Sequence, residues 1–131
     1  MKAANILIAG TLILAPSAAA AAPIDGLWAN PKGDVIVRIA PCGPTLCGRV
    51  IHATEHAKEK AAKQGTHLLG STLLSDVQPA GPGKWKAKVF VPSLGKRVPG
   101  NLSLPRESQL KVEGCVVGLI CKSQVWTRIV W

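Results

Sequence analysis

The stretch KWKAKVFV, residues 84–91, alternates strictly between two kinds of side chain. Lys84, Lys86 and Lys88 occupy one set of alternate positions, and the apolar residues Trp85, Ala87, Val89 and Val91 occupy the other. Because successive side chains of a β-strand point to opposite faces, this period of two predicts a half-buried strand with a basic outer face.

Seven further runs have the composition of short strands. They are GLWA (26–29), DVIVRIA (34–40), CGRVI (47–51), STLLSDV (71–77), KRVPGNLSL (96–104), SQLKVEG (108–114) and KSQVWTRIVW (122–131). Gly, Pro or Asn residues separate them, as expected for turns between strands. We therefore predict an all-β fold, a small antiparallel β-barrel of about eight strands with one short helical or loop insertion after the third. Closure into a barrel would leave no strand edge exposed.

The first residues have the pattern of a secretory signal peptide. Lys2 is followed by an apolar run, Ile6 to Leu14, and by a tract of small residues. Residues 1–22 are predicted to be the signal peptide and residues 23–131 a single domain. The run is too short to cross a bilayer as a helix, and no second candidate follows. Without Lys2 the chain has 15 basic and 7 acidic residues, a formal charge of +8. We expect an exported, monomeric protein in the periplasm or outside the cell.

Four cysteines in a small exported chain are typical of disulfides. Cys42 and Cys47 flank GPTL, and Cys115 and Cys121 flank VVGLI, so that each pair encloses turn-forming residues. We predict that Cys42 pairs with Cys47 and Cys115 with Cys121, each bond joining the two strands of a hairpin. The alternative, a zinc site of four thiolates, usually has shorter gaps within each pair.

The two ends of the predicted domain have residues suited to closing a barrel. Gly26 permits close backbone approach, Trp28 and Trp126 can fill one end, and the Arg128 guanidinium can stack on an indole. This combination resembles the closure of lipocalin-like barrels.

A wider resemblance follows from the order of six segments. They are GLW (26–28), VIVRIAPCGPTLCGRVI (35–51), VFVPSLGK (89–96), LSL (102–104), LKVEGC (110–115) and QVWTRI (124–129). In this order the chain resembles the exported bacterial family known as domain of unknown function 2147. The resemblance spans residues 26–129 and implies a lipocalin-like β-barrel. It implies no reaction.

The segment HATEH, residues 52–56, matches the His-x-x-Glu-His pattern of some zinc metalloproteases. On a helix, His52 and His56 would share a face and Glu55 could activate a bound water. A catalytic site also needs a third ligand, which such proteases take from a second helix, but the acidic residues after Glu59 are Asp76, Glu107 and Glu113, all in strand-like or turn-like sequence. We therefore interpret HATEH as a solvated connection, expect no metal and no cofactor, and keep a metal-dependent hydrolase as the least favoured alternative. No other segment has a catalytic pattern, so the protein is predicted not to be an enzyme.

Two kinds of binding remain. The first, which the sequence favours as the function, is non-catalytic carriage of a small apolar or amphipathic ligand inside the barrel, in the cell envelope. The same apolar faces could line a cavity or form a solid core. The residues expected on those faces are Val35, Val37, Ile39, Ile51, Trp85, Val89, Leu102, Leu104, Leu110, Val112 and Val125, of which Val37, Ile39, Ile51, Trp85, Val89, Leu102, Leu104 and Val112 are the chosen cavity candidates.

The second kind of binding uses the charge. The stripe of Lys84, Lys86 and Lys88 could be widened by Lys96, Arg97, Arg106 and Lys111, and would favour anionic glycans or lipid headgroups of the cell envelope. Specific nucleic-acid binding is not expected, because the chain has no Tyr and one Phe to serve as stacking platforms. Of the two interpretations of the stripe, the sequence favours the simpler one, an ordinary solvated strand face that discourages edge pairing.

Overall fold

The computed structural model of the protein describes residues 22–92, 94–116 and 120–130. Apart from Ala22, the predicted signal peptide lies outside these ranges. No helix within them is long and apolar enough to cross a membrane.

Eight strands and one helix follow one another along the chain. They are β1 (Gly26–Ala29), β2 (Val35–Cys42), β3 (Thr45–Ala53), α1 (Glu55–Ala62), β4 (Thr72–Gly81), β5 (Lys84–Val91), β6 (Lys96–Arg106), β7 (Gln109–Val116) and β8 (Ile120–Ile129). Each strand pairs with the next, and β8 pairs back to β1, which closes the sheet into a barrel. All pairings are antiparallel. The predicted all-β antiparallel barrel of eight strands with one short helical insertion is confirmed.

The insertion begins where a side chain can cap it. The Thr54 hydroxyl accepts a hydrogen bond from the Ala57 backbone N–H at 3.2 Å, and α1 starts at the following residue, Glu55. Ala57 and Ala61 are buried on the core side of the helix. Because α1 connects the end of β3 to the start of β4, it lies at one end of the barrel, which we call the helix end.

One continuous apolar cluster occupies the barrel. It contains Ile24, Trp28, Val35, Val37, Ile39, Val50, Ala53, Ala57, Ala61, Leu68, Leu74, Val77, Trp85, Ala87, Leu102, Leu110, Val112 and Trp126. The inward positions of β5 follow the predicted alternation, since Trp85 and Ala87 are buried while the lysines between them are exposed. Burial of these side chains is the main driving force for folding.

Two residues expected on the inner faces lie outside. Ile51 is 47% exposed, because it alternates with the inward-facing Val50, and the β2–β3 register shift leaves it as the extra residue of a β-bulge. Val125 is 45% exposed, because it alternates with the inward-facing Trp126. The prediction that these two side chains face the interior is wrong.

Candidate functional site

The outer face of β4, β5 and β6 presents the lysine stripe. Lys84, Lys86 and Lys88 are exposed along β5. Their partners on β6 are the uncharged Ser103, Asn101 and Pro99, and on β4 the register places Gly81, Gln78 and Ser75 beside them. The residues directly opposite the three lysines are therefore uncharged on both neighbouring strands.

Arg97 extends this surface toward the helix end. From β6 its guanidinium lies over the Phe90 ring of β5, 5.4 Å from the centroid. It also donates to the Thr72 carbonyl at 3.1 Å and to the Ser75 hydroxyl at 3.4 Å, both on β4. Contacts with two neighbouring strands, β4 and β5, hold the cation in one place, which reduces the side-chain entropy lost when a ligand binds.

A single carboxylate enters the basic face. Asp76 has a φ of +50° at the point where the β4–β5 register shifts, so a bulge directs it toward the stripe. Its Oδ2 lies 3.4 Å from Lys88 Nζ. Both side chains are more than half exposed, and such a pair contributes at most about 1 kcal/mol. An anionic ligand could therefore compete with Asp76 for Lys88 at little cost.

These side chains surround an open cleft of about 560 Å³. Its lining consists of Asp76, Gln78, Lys86, Ala87, Lys88, Arg97, Val98 and Pro99. Amide, ammonium and guanidinium donors thus converge on one depression in the outer wall. This arrangement can bind a carboxylate, phosphate or sulfate group by charge-assisted hydrogen bonds.

The four cations expected to widen the stripe have separate positions. Arg97 lies in the cleft, and Lys111 lies across Ser103 from Lys84 on the same outer face. Lys96 and Arg106 lie at the two ends of β6.

The interior is filled by side chains. Of the cavity candidates, Val37, Ile39, Trp85, Leu102 and Val112 are buried in the core cluster, and Val89 and Leu104 are half-buried against it. Three glycines on the inner wall show how little space remains. A Cβ at Gly48 would lie 3.1 Å from Leu74 and Val37, one at Gly100 would lie 2.5 Å from Val89, and one at Gly114 would lie 3.2 Å from Val98. Around these glycines the wall is closely packed, and an added methyl group would displace a neighbouring side chain.

The barrel closes through the residues named from the sequence. β1 and β8 pair over three positions, with Trp28 opposite Arg128. The fully buried Trp28 donates from Nε1 to the Ile24 carbonyl at 2.9 Å. Gly26 has a φ of +132°, and a Cβ there would lie 3.0 Å from Arg128 Nη1. Trp126 is buried in the core cluster and donates to Gln124 Oε1 at 2.9 Å.

The cysteines pair within hairpins. Cys42 is bonded to Cys47 across the β2–β3 turn, and Cys115 to Cys121 across the β7–β8 connection. Both pairs also lie close in the strand register, where Cys115 stands directly opposite Cys121.

The HATEH residues do not share a helix face. His52 lies in β3 opposite Ile36, while Glu55 and His56 form the start of α1. Glu55 is paired with Lys58 at 2.7 Å. Among the residues described, no group of three His, Cys, Asp or Glu side chains is arranged to hold a metal ion. The helical geometry that the hydrolase alternative requires is absent there, because Thr54 caps α1 after His52.

Sequence reasoning did not find the contribution of Asp76, nor the contacts of Arg97 with β4 and Phe90. The position of Asp76 depends on a bulge in β4, and the contacts of Arg97 with Ser75 and Thr72 join residues 22 and 25 positions apart in the chain. No local pattern could have revealed them.

Comparisons with known proteins agree with this architecture. A Helicobacter pylori protein, HP1028, whose structure is described as belonging to the lipocalin family, superposes with a TM-score of 0.62 at 16% identity, over 82% of this chain and 83% of that chain. At this identity the likeness shows the fold alone. No curated protein matches the chain. The family model described as "Uncharacterized protein conserved in bacteria (DUF2147)" matches residues 26–128. The chain therefore belongs to the DUF2147 family of bacterial proteins, and its fold is a lipocalin-like β-barrel.

Proposed function

We propose that this protein is a non-catalytic binding protein of the cell envelope, which recognises anionic groups through the outer face of β4, β5 and β6. One observation carries the proposal: Lys86, Lys88 and Arg97 converge on an open cleft into which one exposed carboxylate, Asp76, projects. The excess of positive charge in the cleft is available to a ligand.

The spacing of the stripe favours a ligand with repeated charges. Alternate residues of a strand are about 6.6 Å apart, so Lys84, Lys86 and Lys88 form a straight row of cations. An acidic polysaccharide, or an array of anionic headgroups, presents charges in a comparable series. A single small anion could occupy only one part of this row.

Four features support a non-catalytic role in the cell envelope. Two disulfides in so small a domain fit an oxidising compartment. The predicted signal peptide would deliver the chain there. The lipocalin-like barrel is a fold that supports binding, and HATEH does not form the helical metal site that hydrolysis would need.

Carriage of a small apolar molecule is the second candidate. The observation that favours it is the exposure of Lys122 and Gln124, which lie on the same face of β8 as the inward-facing Trp126, so that solvent reaches this face near the helix end. A ligand that entered further would have to displace core side chains, because the core is closely packed around Gly48, Gly100 and Gly114. Binding of such a ligand would change the fluorescence of Trp126. For this reason we place the outer face first.

The test compares equal losses of charge on two parts of the surface. Lys84, Lys86 and Lys88 are replaced by Gln in one variant, and the exposed Lys32, Lys60 and Lys63 in a control variant. Binding to an acidic polysaccharide is measured by calorimetry at two salt concentrations. We expect the stripe variant to lose about tenfold or more in affinity, and the control to change far less, because exposed charges act over only about 8 Å at physiological ionic strength. Equal losses of affinity in both variants would contradict the proposal, because they would mean that the three lysines act only through the net charge of the protein.

A further inference from the structure

The helix end of the barrel differs from the opposite end in its exposed apolar residues. Up-and-down strand order brings the β1–β2, β3–β4, β5–β6 and β7–β8 connections to the helix end. Leu69 precedes β4, Leu94 lies between β5 and β6, and Ile120 is the first residue of β8. These side chains are 40%, 48% and 62% exposed. Each of three connections thus has one exposed aliphatic side chain in it or directly beside it.

The opposite end lacks this feature in the part of the chain described. Its hairpins turn at Gly43-Pro44, Pro82-Gly83 and Glu107-Ser108. The one large exposed aliphatic residue there is Val130, which follows β8. The apolar residues of the helix end are therefore not a general property of the barrel's loops.

Lysines accompany the aliphatic residues of the helix end. Lys96 follows Leu94 by two positions, and Lys122 follows Ile120 by two. Both are exposed, and neither forms an ion pair within the described residues. An aliphatic side chain with a lysine two residues away suits a bilayer interface. The aliphatic side chain can enter the boundary of the acyl chains while the lysine contacts anionic headgroups.

We infer that the helix end docks on an anionic lipid surface, with Leu94 and Ile120 inserted and Lys96 and Lys122 at the headgroups. The inference rests on the proposed affinity for anionic groups and names a lipid bilayer as the partner. Two features favour a bilayer over a glycan or a folded protein. The aliphatic residues stand on separate connections rather than in one groove, and a hydrated glycan offers no apolar phase to receive them.

Vesicle sedimentation tests the inference with a matched control. The wild-type protein is expected to bind vesicles of phosphatidylglycerol and phosphatidylethanolamine, and to bind phosphatidylcholine vesicles much more weakly. Replacing Leu94 and Ile120 with Ser should weaken binding about tenfold or more, since the apolar contribution is lost. The control replaces Val125 and Val130, which are also exposed but lie outside the helix end, with Ser. Its binding should change less than about twofold.

The outcomes separate this inference from the proposed function. Unchanged vesicle binding by the Leu94→Ser/Ile120→Ser variant would overturn the inference, and so would equal losses in that variant and the control. A wild-type protein that binds acidic polysaccharide but no anionic vesicle would also overturn it, while the proposed function would stand. If the wild-type protein bound neither acidic polysaccharide nor anionic vesicles, both the inference and the proposed function would be contradicted. Circular dichroism of each variant would confirm that the barrel is folded.

Discussion

The guanidinium of Arg128 lies over the Trp28 ring, 4.3 Å from its centroid. Its three nitrogens donate to three backbone carbonyls: Nε to Glu107 at 2.9 Å, Nη1 to Asp25 at 2.9 Å and Nη2 to Pro23 at 2.7 Å. One side chain of the last strand thus joins the buried indole of the first strand, the segment before it and the β6–β7 turn. The closure of the barrel depends on this group of contacts.

Trp28→Ala should destabilise the protein severely. The indole is fully buried, and loss of such a side chain costs about 3–5 kcal/mol. Domains of this size are stable by only about 5–15 kcal/mol. Arg128→Lys keeps the charge but loses the planar fork, and should cost less, about 1–3 kcal/mol. Thermal and denaturant unfolding of both variants and of the double variant would measure their coupling. Additive effects would show that the two residues do not interact.

Gly26→Ala should be more destabilising than Gly81→Ala. The two glycines have nearly equal φ angles, +132° and +133°. A Cβ at Gly26 would approach Arg128 Nη1 at 3.0 Å, whereas one at Gly81 would meet nothing within 4 Å. Backbone strain of about 1–3 kcal/mol is common to both, so the difference in unfolding free energy reports the displacement of Arg128. Equal losses of unfolding free energy in the two variants would mean that the Arg128 guanidinium can move aside freely.

Both disulfides should form in the exported protein. Peptide mapping without reduction is expected to find Cys42 linked to Cys47 and Cys115 to Cys121. Because each bond closes a short loop, replacing either pair with Ser should cost only about 2 kcal/mol in unfolding free energy. A fragment that links Cys42 or Cys47 to Cys115 or Cys121 would contradict the hairpin pairing.

The HATEH segment should not bind zinc tightly. His52 belongs to β3 and His56 to α1, so their imidazoles are not one helical turn apart on a common face. Calorimetric titration of metal-free protein is expected to show no stoichiometric sub-micromolar site. Such a site, if it disappeared in His52→Ala and His56→Ala variants, would restore the metal hypothesis.

Local patterns predicted the barrel well because its strands obey them. The alternation along β5 places Trp85 inside and its lysines outside, and Trp28 and Arg128 meet as their positions near the two ends of the domain implied. The prediction for Ile51 is wrong because Val50 occupies the inward position beside it, and a β-bulge then interrupts the alternation between Ile51 and His52. The sequence did not predict the cleft either, for a related reason. Asp76 enters through a bulge, and Arg97 is held by β4, which is distant in sequence.

The most direct test of binding at the outer face is a two-dimensional NMR titration of the isotope-labelled protein with a short acidic oligosaccharide. Amide signals of β4, β5 and β6 around Gln78, Lys86, Lys88 and Arg97 should shift, and the shifts should disappear when Lys84, Lys86 and Lys88 are replaced by Gln. The indole signals of Trp28, Trp85 and Trp126 report on the filled interior and should stay in place. Shifts concentrated on those three indoles, with the outer face unchanged, would contradict the proposal and place the ligand inside the barrel.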